Sequence, residues 1–528
     1  MTVKLATIAT AEPIQTFKPH WNPCVGAGRA NEALRANWLE HMELVNTACG
    51  FKRVRFHGLF HNDMFVYREN EDGSITYNFQ YIDELFDRLL DMGVQPFIEL
   101  GFVPKDMAAN DETVFWWKGN SCPPNDYDKW GQLVGKFTEH VIARYGIDEV
   151  LTWYFEVWNE PNLNPFWHGT KSEYFELYKV SAEVIKAIDP RLMVGGPSTS
   201  NFVPDARFDG ETEDLTQHKA VTRAKDLDDL EWKPVWFESF LSYCTENNLP
   251  VDFVSTHPYP TDWAFDEHGT GQKLTRGVNA TARDLALLRE LIDASDFPNA
   301  EIHLTEWSSS SSPRDYTHDY LQAATFVAKA NVDSIGCVDS LSYWTFTDVF
   351  EESGAGDTAF HGGFGMVNFQ GIPKPTFHTY RLLNTLGNEV LAHTESGMIT
   401  RNSENGKLSA LAYHYPPEVT QTIPGSYENR DIAEATLATG SPEEFVLKLE
   451  GLEPGTEFVL EVVDQEHGDA MSAWKKMGSP EPLSREQTAH LRDAAHATWV
   501  QSLSANENGV LEIFQTLEPW ALISLRQI

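Results

Sequence analysis

Strand-like and helix-like patterns alternate eight times along this chain, and few folds accommodate such a series. Apolar, β-branched or aromatic runs predict strands at 17–22, 52–56, 95–100, 152–159, 192–195, 252–256, 301–305 and 338–346. Helical spacing follows each of them, at 31–49, 80–92, 126–145, 172–188, 235–247, 282–294, 319–332 and 376–386. Thr170 or Ser172 is the expected N-cap of the fourth helix. Eight such units over about 370 residues imply an α/β fold of the closed, parallel (β/α)8 barrel type. A doubly wound open sheet is the competing fold, with fewer strands and usually an early phosphate-binding glycine loop. The run Val25-Gly26-Ala27-Gly28-Arg29 is a lone GxG and reads as a barrel loop.

Beyond residue 387 the period changes. Strand patterns at 407–414, 444–450, 457–463, 509–514 and 520–526 alternate with acidic, turn-rich segments, and one helical stretch lies at 485–495. This predicts a C-terminal antiparallel β-sandwich over 387–528 behind a barrel over 14–386. A short strand at 3–9 has no place in the barrel series, so residues 1–13 are expected to join the sandwich.

The most informative strand is Leu151-Thr152-Trp153-Tyr154-Phe155-Glu156-Val157-Trp158-Asn159-Glu160-Pro161. Its aromatic and β-branched content suits a strand buried on both faces. Proline ends it, having no N–H to give a ladder. Asn159 and Glu160 thereby stand at the C-terminal end of strand four, and Glu306 ends strand seven. Barrel active sites lie at that face, and two carboxyl groups are the minimum equipment for glycoside hydrolysis. Glu156, four residues back and roughly 13 Å deeper at ~3.3 Å per residue, reads as a buried structural carboxylate.

Charge narrows the choice of partner. The 528 residues carry a formal net charge of −38, which argues against nucleic acids and anionic membranes. The 16 Trp, 17 Tyr and 31 Phe residues supply core and stacking faces for sugars. Five scattered cysteines, Cys24, Cys49, Cys122, Cys244 and Cys337, make a poor disulfide framework and no metal-ligand spacing, so reduced thiols are expected. The first fifteen residues lack the apolar core of an export signal, and no apolar run reaches the ~18 residues of a membrane span. A cytoplasmic protein without metal or organic cofactor is expected.

Five stretches together resemble glycoside hydrolase family 39, the β-xylosidase family, within the clan of retaining glycosidases built on this barrel. They are Arg55-Phe56-His57-Gly58, Phe155 to Pro161, Ser255-Thr256-His257-Pro258-Tyr259, Leu304-Thr305-Glu306-Trp307-Ser308, and Tyr343 to Glu352. The resemblance implies a retaining exo-β-1,4-xylosidase that releases xylose from xylo-oligosaccharides or acts on other small glycosides. Glu160 would be the general acid/base and Glu306 the nucleophile. Arg55 and Tyr259 would keep Glu306 ionised, and Asn159 would offer its amide to the sugar 2-hydroxyl. His57 and His257 would donate to other hydroxyls, Trp344 would form a stacking floor, and Glu351 and Glu352 would bind xylose hydroxyls. Phe115, Trp116 and Trp117 would wall the pocket, with Trp116 the expected sugar contact. The resemblance also implies self-association. The serine run 308–312 reads as a flexible loop without chemistry. Other glycosidases of the family remain open, among them α-L-arabinosidase, β-galactosidase and α-L-iduronidase, as does a binding protein without catalysis.

Overall fold

The computed structural model of the protein describes residues 3–200, 202–203, 214, 231–265, 271–421, 423, 425 and 429–528. Eight strands form one parallel sheet in sequence order: β1 Val25–Arg29, β2 Arg53–His57, β3 Gln95–Leu100, β4 Tyr154–Val157, β5 Met193–Ser200, β6 Phe253–His257, β7 Glu301–Trp307 and β8 Ser340–Tyr343. The sheet closes on itself. Leu341 N–H donates to His20 O at 2.9 Å, and Phe346 N–H donates to Gly26 O at 3.0 Å. The chain is therefore a (β/α)8 barrel, with helices such as α1 (Ala36–Cys49), α2 (Gln80–Asp91), α3 (Tyr127–Tyr145) and α4 (Lys171–Ile188) packed outside. Thr170 caps α4 through a full capping box. Its hydroxyl accepts from Glu173 N at 3.2 Å, and Glu173 accepts from Thr170 N at 2.7 Å.

Two strand expectations are corrected. The glycine run expected as a loop is β1, and residues 17–22 only lead into it. Neighbouring side chains crowd this strand. A Cβ at Gly26 would lie 2.3 Å from Trp344, and one at Gly28 would lie 2.1 Å from Glu32. Glycine serves here for close approach rather than for a turn. Strand β4 stops at Val157, two residues earlier than expected. Trp158 and Glu160 take left-handed φ values of 74° and 47°, so the chain turns across the barrel mouth. Glu160 N–H is held there by Ser198 O at 2.8 Å.

Inward-facing side chains stack in layers. Neighbouring strands pair Arg55 with Phe97, Phe97 with Tyr154, and Glu99 with Glu156. An aromatic floor results: Phe97 and Tyr154 stack at 5.0 Å, and Phe253 meets both edge-on. The layer above carries Arg55, Glu99 and Glu156, all fully buried. The floor excludes water from below, so every charge above it must find its partner within the barrel or at the pocket.

Two further sheets follow the barrel. One holds Glu389–Thr394, Gly397–Arg401, Leu408–Tyr413, Leu522–Gln527, Glu457–Val463 and Trp499–Ser504, with Gln15–Thr16 at its edge. The other places Val3–Ile8 parallel to Glu443–Glu450, which runs antiparallel to Leu511–Leu517. Leu5, Phe445, Leu447, Ile513, Phe458 and Ile523 bury one core between them, the arrangement of a β-sandwich. This region is tied to the barrel. Arg381 chelates Glu461 at 2.7 and 3.1 Å, and Thr325 Oγ1 donates to Trp520 O at 2.5 Å. The serine run is also corrected. Ser308, Ser309 and Ser310 are buried, and Ser308 Oγ donates to Ser310 O at 2.6 Å, which fixes the loop.

Candidate active site

Arg55, in the middle of β2 and two residues before its end at His57, organises the barrel mouth. Its Nε donates to Glu156 Oε2 at 2.6 Å, its Nη2 to Asn159 Oδ1 at 2.8 Å and its Nη1 to Glu306 Oε2 at 3.2 Å. A second contact of Nη2, 3.0 Å long, reaches Glu99. One planar, permanently charged fork thus meets carboxylates from three strands. Burial alone would lower its proton affinity, but Glu156, Glu99 and Glu306 outweigh burial and raise it.

An oxygen of Glu160, an oxygen of Glu306 and a nitrogen of His257 lie within 4.8 Å of one another. Both carboxylic residues are nearly buried, at 5% and 8% exposure. Burial pushes the Glu160 carboxyl well above its ordinary range. Glu306 and Glu352 add to the rise, which His57 and Arg55 only partly oppose. Burial raises Glu306 too, and Glu352 adds to the rise; His57, Arg55 and the Tyr259 hydroxyl oppose it, which leaves Glu306 at about 7, less elevated than Glu160. Tyr259 Oη donates to Glu306 Oε1 at 3.0 Å. The first proton of the pair therefore leaves Glu306, and Glu160 keeps the second. A cation does not suit this trio. Arg55 and His57 already bring positive charge, and both nitrogens of His257 are engaged.

His57 and His257 divide their work in a way the sequence did not reveal. His57 Nδ1 lies 2.6 Å from Glu99 Oε2, and Nε2 faces Glu352 at 3.4 Å. Burial disfavours its charge, but Glu99, Glu352 and Glu306 raise its pKa to about 10, so it is an imidazolium. His257 is driven the other way, by burial, Arg55 and His57. Its Nδ1 lies 2.9 Å from Glu160 Oε1, and its Nε2 lies 2.9 Å from Thr305 Oγ1. The expected direct sugar contact of His257 is therefore corrected to a contact with Glu160, because both ring nitrogens are already used.

The walls sort the remaining candidates. Trp344 is buried, 4.8 Å from the His57 ring, and Phe350 and Phe364 back it. Phe115 stacks on His57 at 5.8 Å, whereas Trp116 is 56% exposed and stands at the rim. Trp117 lies beneath the Arg29 guanidinium, 5.0 Å away, and is 8% exposed. The acidic pair splits. Both oxygens of Glu351 are taken by Arg35, with Arg29 at 3.7 Å, so Glu351 is corrected from sugar ligand to structural anion. Glu352 remains facing His57. The amide nitrogen of Asn159 is buried and has no partner among the described residues, a donor that points to a ligand.

Sequence reasoning passed over Glu99, Thr305 and Ser198. Glu99 was findable, being one residue from the end of β3. Thr305 adjoins Glu306 but carries no signal of its own. Ser198 depends on a left-handed backbone (φ 54°) that no local pattern announces.

The profile of "Glycosyl hydrolases family 39" matches residues 3–512. A β-xylosidase of Geobacillus stearothermophilus is 36% identical over 523 residues, covering 97% of this chain and 94% of that protein. One from Caldicellulosiruptor saccharolyticus is 35% identical over 494 residues, covering 93% and 91%. The crystal structure of a monomeric β-xylosidase from Caulobacter crescentus CB15 superposes with a TM-score of 0.84 at 31% identity, covering 100% of this chain and 99% of that one. With the paired carboxyls at the mouth of a (β/α)8 barrel, these likenesses establish that the chain is a glycoside hydrolase and belongs to glycosyl hydrolase family 39.

Proposed function

We propose that the enzyme is a retaining exo-β-1,4-xylosidase that removes xylose from the non-reducing ends of xylo-oligosaccharides. The observation that carries this reading is the oxygen-to-oxygen approach of Glu160 and Glu306 within 4.8 Å. Retention needs the two carboxyl groups about 5–5.5 Å apart, and inversion needs ~6.5–9.5 Å to seat a water. In this mechanism Glu306 attacks the anomeric carbon. Glu160 delivers its proton to the leaving oxygen, and a covalent xylosyl ester forms. Glu160, now a carboxylate, takes a proton from water, which attacks the ester and frees xylose and Glu306. Tyr259 and Arg55 hold Glu306 as an anion before attack. The Asn159 amide and Glu352 bind sugar hydroxyls, with Trp344 as the floor.

Two β-xylosidases at 35–36% identity favour xylose. Glu352 at the pocket, with Glu351 neutralising the nearby arginines, disfavours a uronic acid. Cytoplasmic residence belongs to the same proposal, supported by five free cysteines, four of them buried. So does the division into a barrel ending at 386 and an accessory domain at 387–528, supported by the separate sandwich core, with the barrel's expected start at 14 moved past Gln15–Thr16 because these residues pair with Glu389 and Val390. No helix among the described residues is long and apolar enough to cross a membrane.

The test is nitrophenol release from β-D-xyloside, α-L-arabinoside, β-D-galactoside, β-D-glucoside and α-L-iduronide, with the Glu306→Gln variant alongside. Preferential xyloside cleavage, abolished in the variant, is the expected result. Preference for another glycoside would replace the substrate, and binding without turnover would replace the enzyme.

A further inference from the structure

The chain of contacts behind Glu160 runs from Arg55 through Glu156, Thr305 and His257. Arg55 Nε–H donates to Glu156 Oε2 at 2.6 Å, so Glu156 is an ion-paired carboxylate that can only accept hydrogen bonds. Its other oxygen lies 2.7 Å from Thr305 Oγ1, which must therefore donate its single proton there. Towards His257 Nε2, 2.9 Å away, the same hydroxyl can then only accept. Ser198 Oγ, 3.4 Å from Nε2, leaves this polarity unchanged, since a hydroxyl oxygen also accepts. Every member of the chain is buried, and an unsatisfied polar contact there is costly.

Resting on the glycosidase reading above, we propose that Thr305 is a positioning residue. Together with Glu156 it fixes His257 as the tautomer protonated on Nε2, which leaves Nδ1 as the acceptor for the Glu160 proton. The 2.9 Å contact between Nδ1 and Glu160 Oε1 is a hydrogen bond only when Glu160 carries that proton. Once the proton has passed to the leaving oxygen, the bare Nδ1 faces a carboxylate. That juxtaposition favours recovery of a proton from the attacking water. The same nitrogen thus raises the proton affinity of Glu160 in both half-reactions. The other groups facing Glu160 are Glu306 from β7, Arg55 and His57 from β2, Glu352 from the loop after β8, and Tyr259 after β6, whose hydroxyl donates to Glu306. None of these supplies a neutral acceptor of this kind, so His257 acts on Glu160 in a way they do not.

Thr305→Val retains the shape but removes the acceptor for Nε2–H. His257 then gains by carrying its proton on Nδ1 and donating it to the Glu160 carboxylate. The alkaline limb of the kcat/KM profile should move to lower pH by about one unit, with KM near the wild-type value, and Thr305→Ser should restore the limb. An alkaline limb unmoved in Thr305→Val, whatever happens to kcat, overturns the proposal, because a merely structural role would lower activity at all pH values alike. A second measurement needs neither the variant nor turnover. In 15N-histidine-labelled wild-type protein, the signal lost on His257→Asn should show a protonated Nε2 and a bare Nδ1. The opposite tautomer overturns the proposal even if xylosides are cleaved. The expected tautomer without cleavage of any glycoside would instead discard the glycosidase reading.

Discussion

Glu99 Oε2 stands 2.6 Å from His57 Nδ1 and makes that buried imidazole a cation facing the pocket. The charge is needed there. Glu306 and Glu352 both crowd His57 Nε2, at 3.9 and 3.4 Å. Glu99→Gln should return His57 to neutrality near pH 7 and remove one of the cations that keep Glu306 ionised. We expect the acidic limb of kcat/KM to move to higher pH and the activity at neutral pH to fall by ~10–100-fold, a loss of 1.4–2.8 kcal/mol. An unchanged acidic limb in the variant would show that Arg55 and Tyr259 suffice for Glu306.

Glu160 and Glu306 are expected to fail differently. Glu306→Gln should lose roughly four orders of magnitude or more in kcat on every substrate. Glu160→Ala should spare the first step for a dinitrophenyl xyloside, whose leaving group needs no proton. It should slow turnover of alkyl or sugar aglycones by ~10²–10⁴-fold. A burst of dinitrophenol followed by a slow phase is the readout. Equal loss on all leaving groups would remove the acid/base role from Glu160.

Stability should carry the signature of Glu160. Its folded-state pKa lies above the ordinary value of 4.5 because burial disfavours the anion. The native state therefore binds more protons than the unfolded state, and stability falls as pH rises from about 4.5 towards the folded pKa. Glu160→Gln has no such penalty. Its melting temperature should gain on that of the wild type across this window and hold a constant lead above it. A difference that does not vary with pH would mean that Glu160 is not protonated in the resting protein.

Glu351 and Glu352 are neighbours in sequence with separate duties. Glu351→Gln loosens a half-exposed pair with Arg35 and should cost about 1 kcal/mol or less in stability, with KM nearly unchanged. Glu352→Gln should lower kcat/KM by ~10–150-fold through a lost charged hydrogen bond to the sugar, with little effect on melting. Reversed phenotypes would put Glu351 in the pocket.

The barrel was legible because eight helical patterns each follow a strand pattern, and the carboxyl pair because Asn159-Glu160 and Glu306 sit at strand ends. Strand β1 escaped because Gly26 is chosen for contact with Trp344, which lies 318 positions away (344 − 26). Short-range propensity holds nothing of such distant contacts. The same limit hid the split between Glu351 and Glu352, which Arg35 decides from the segment after β1. It also hid the duty of His257, which depends on a threonine hydroxyl from β7.

Val3–Ile8 pairs with residues 445–450, so this strand finds its partner only after some 440 positions (445 − 3) have been added. At translation rates of ~5–20 residues per second, that wait is roughly 20–90 s. The barrel can close meanwhile, since all eight of its strands lie upstream of the partner. Residues 3–8 would spend this period as an unpaired β segment at risk of joining another chain. Late capture by Glu443–Glu450 then works as a latch on synthesis, completing the accessory sheet only once the catalytic barrel has been fully translated.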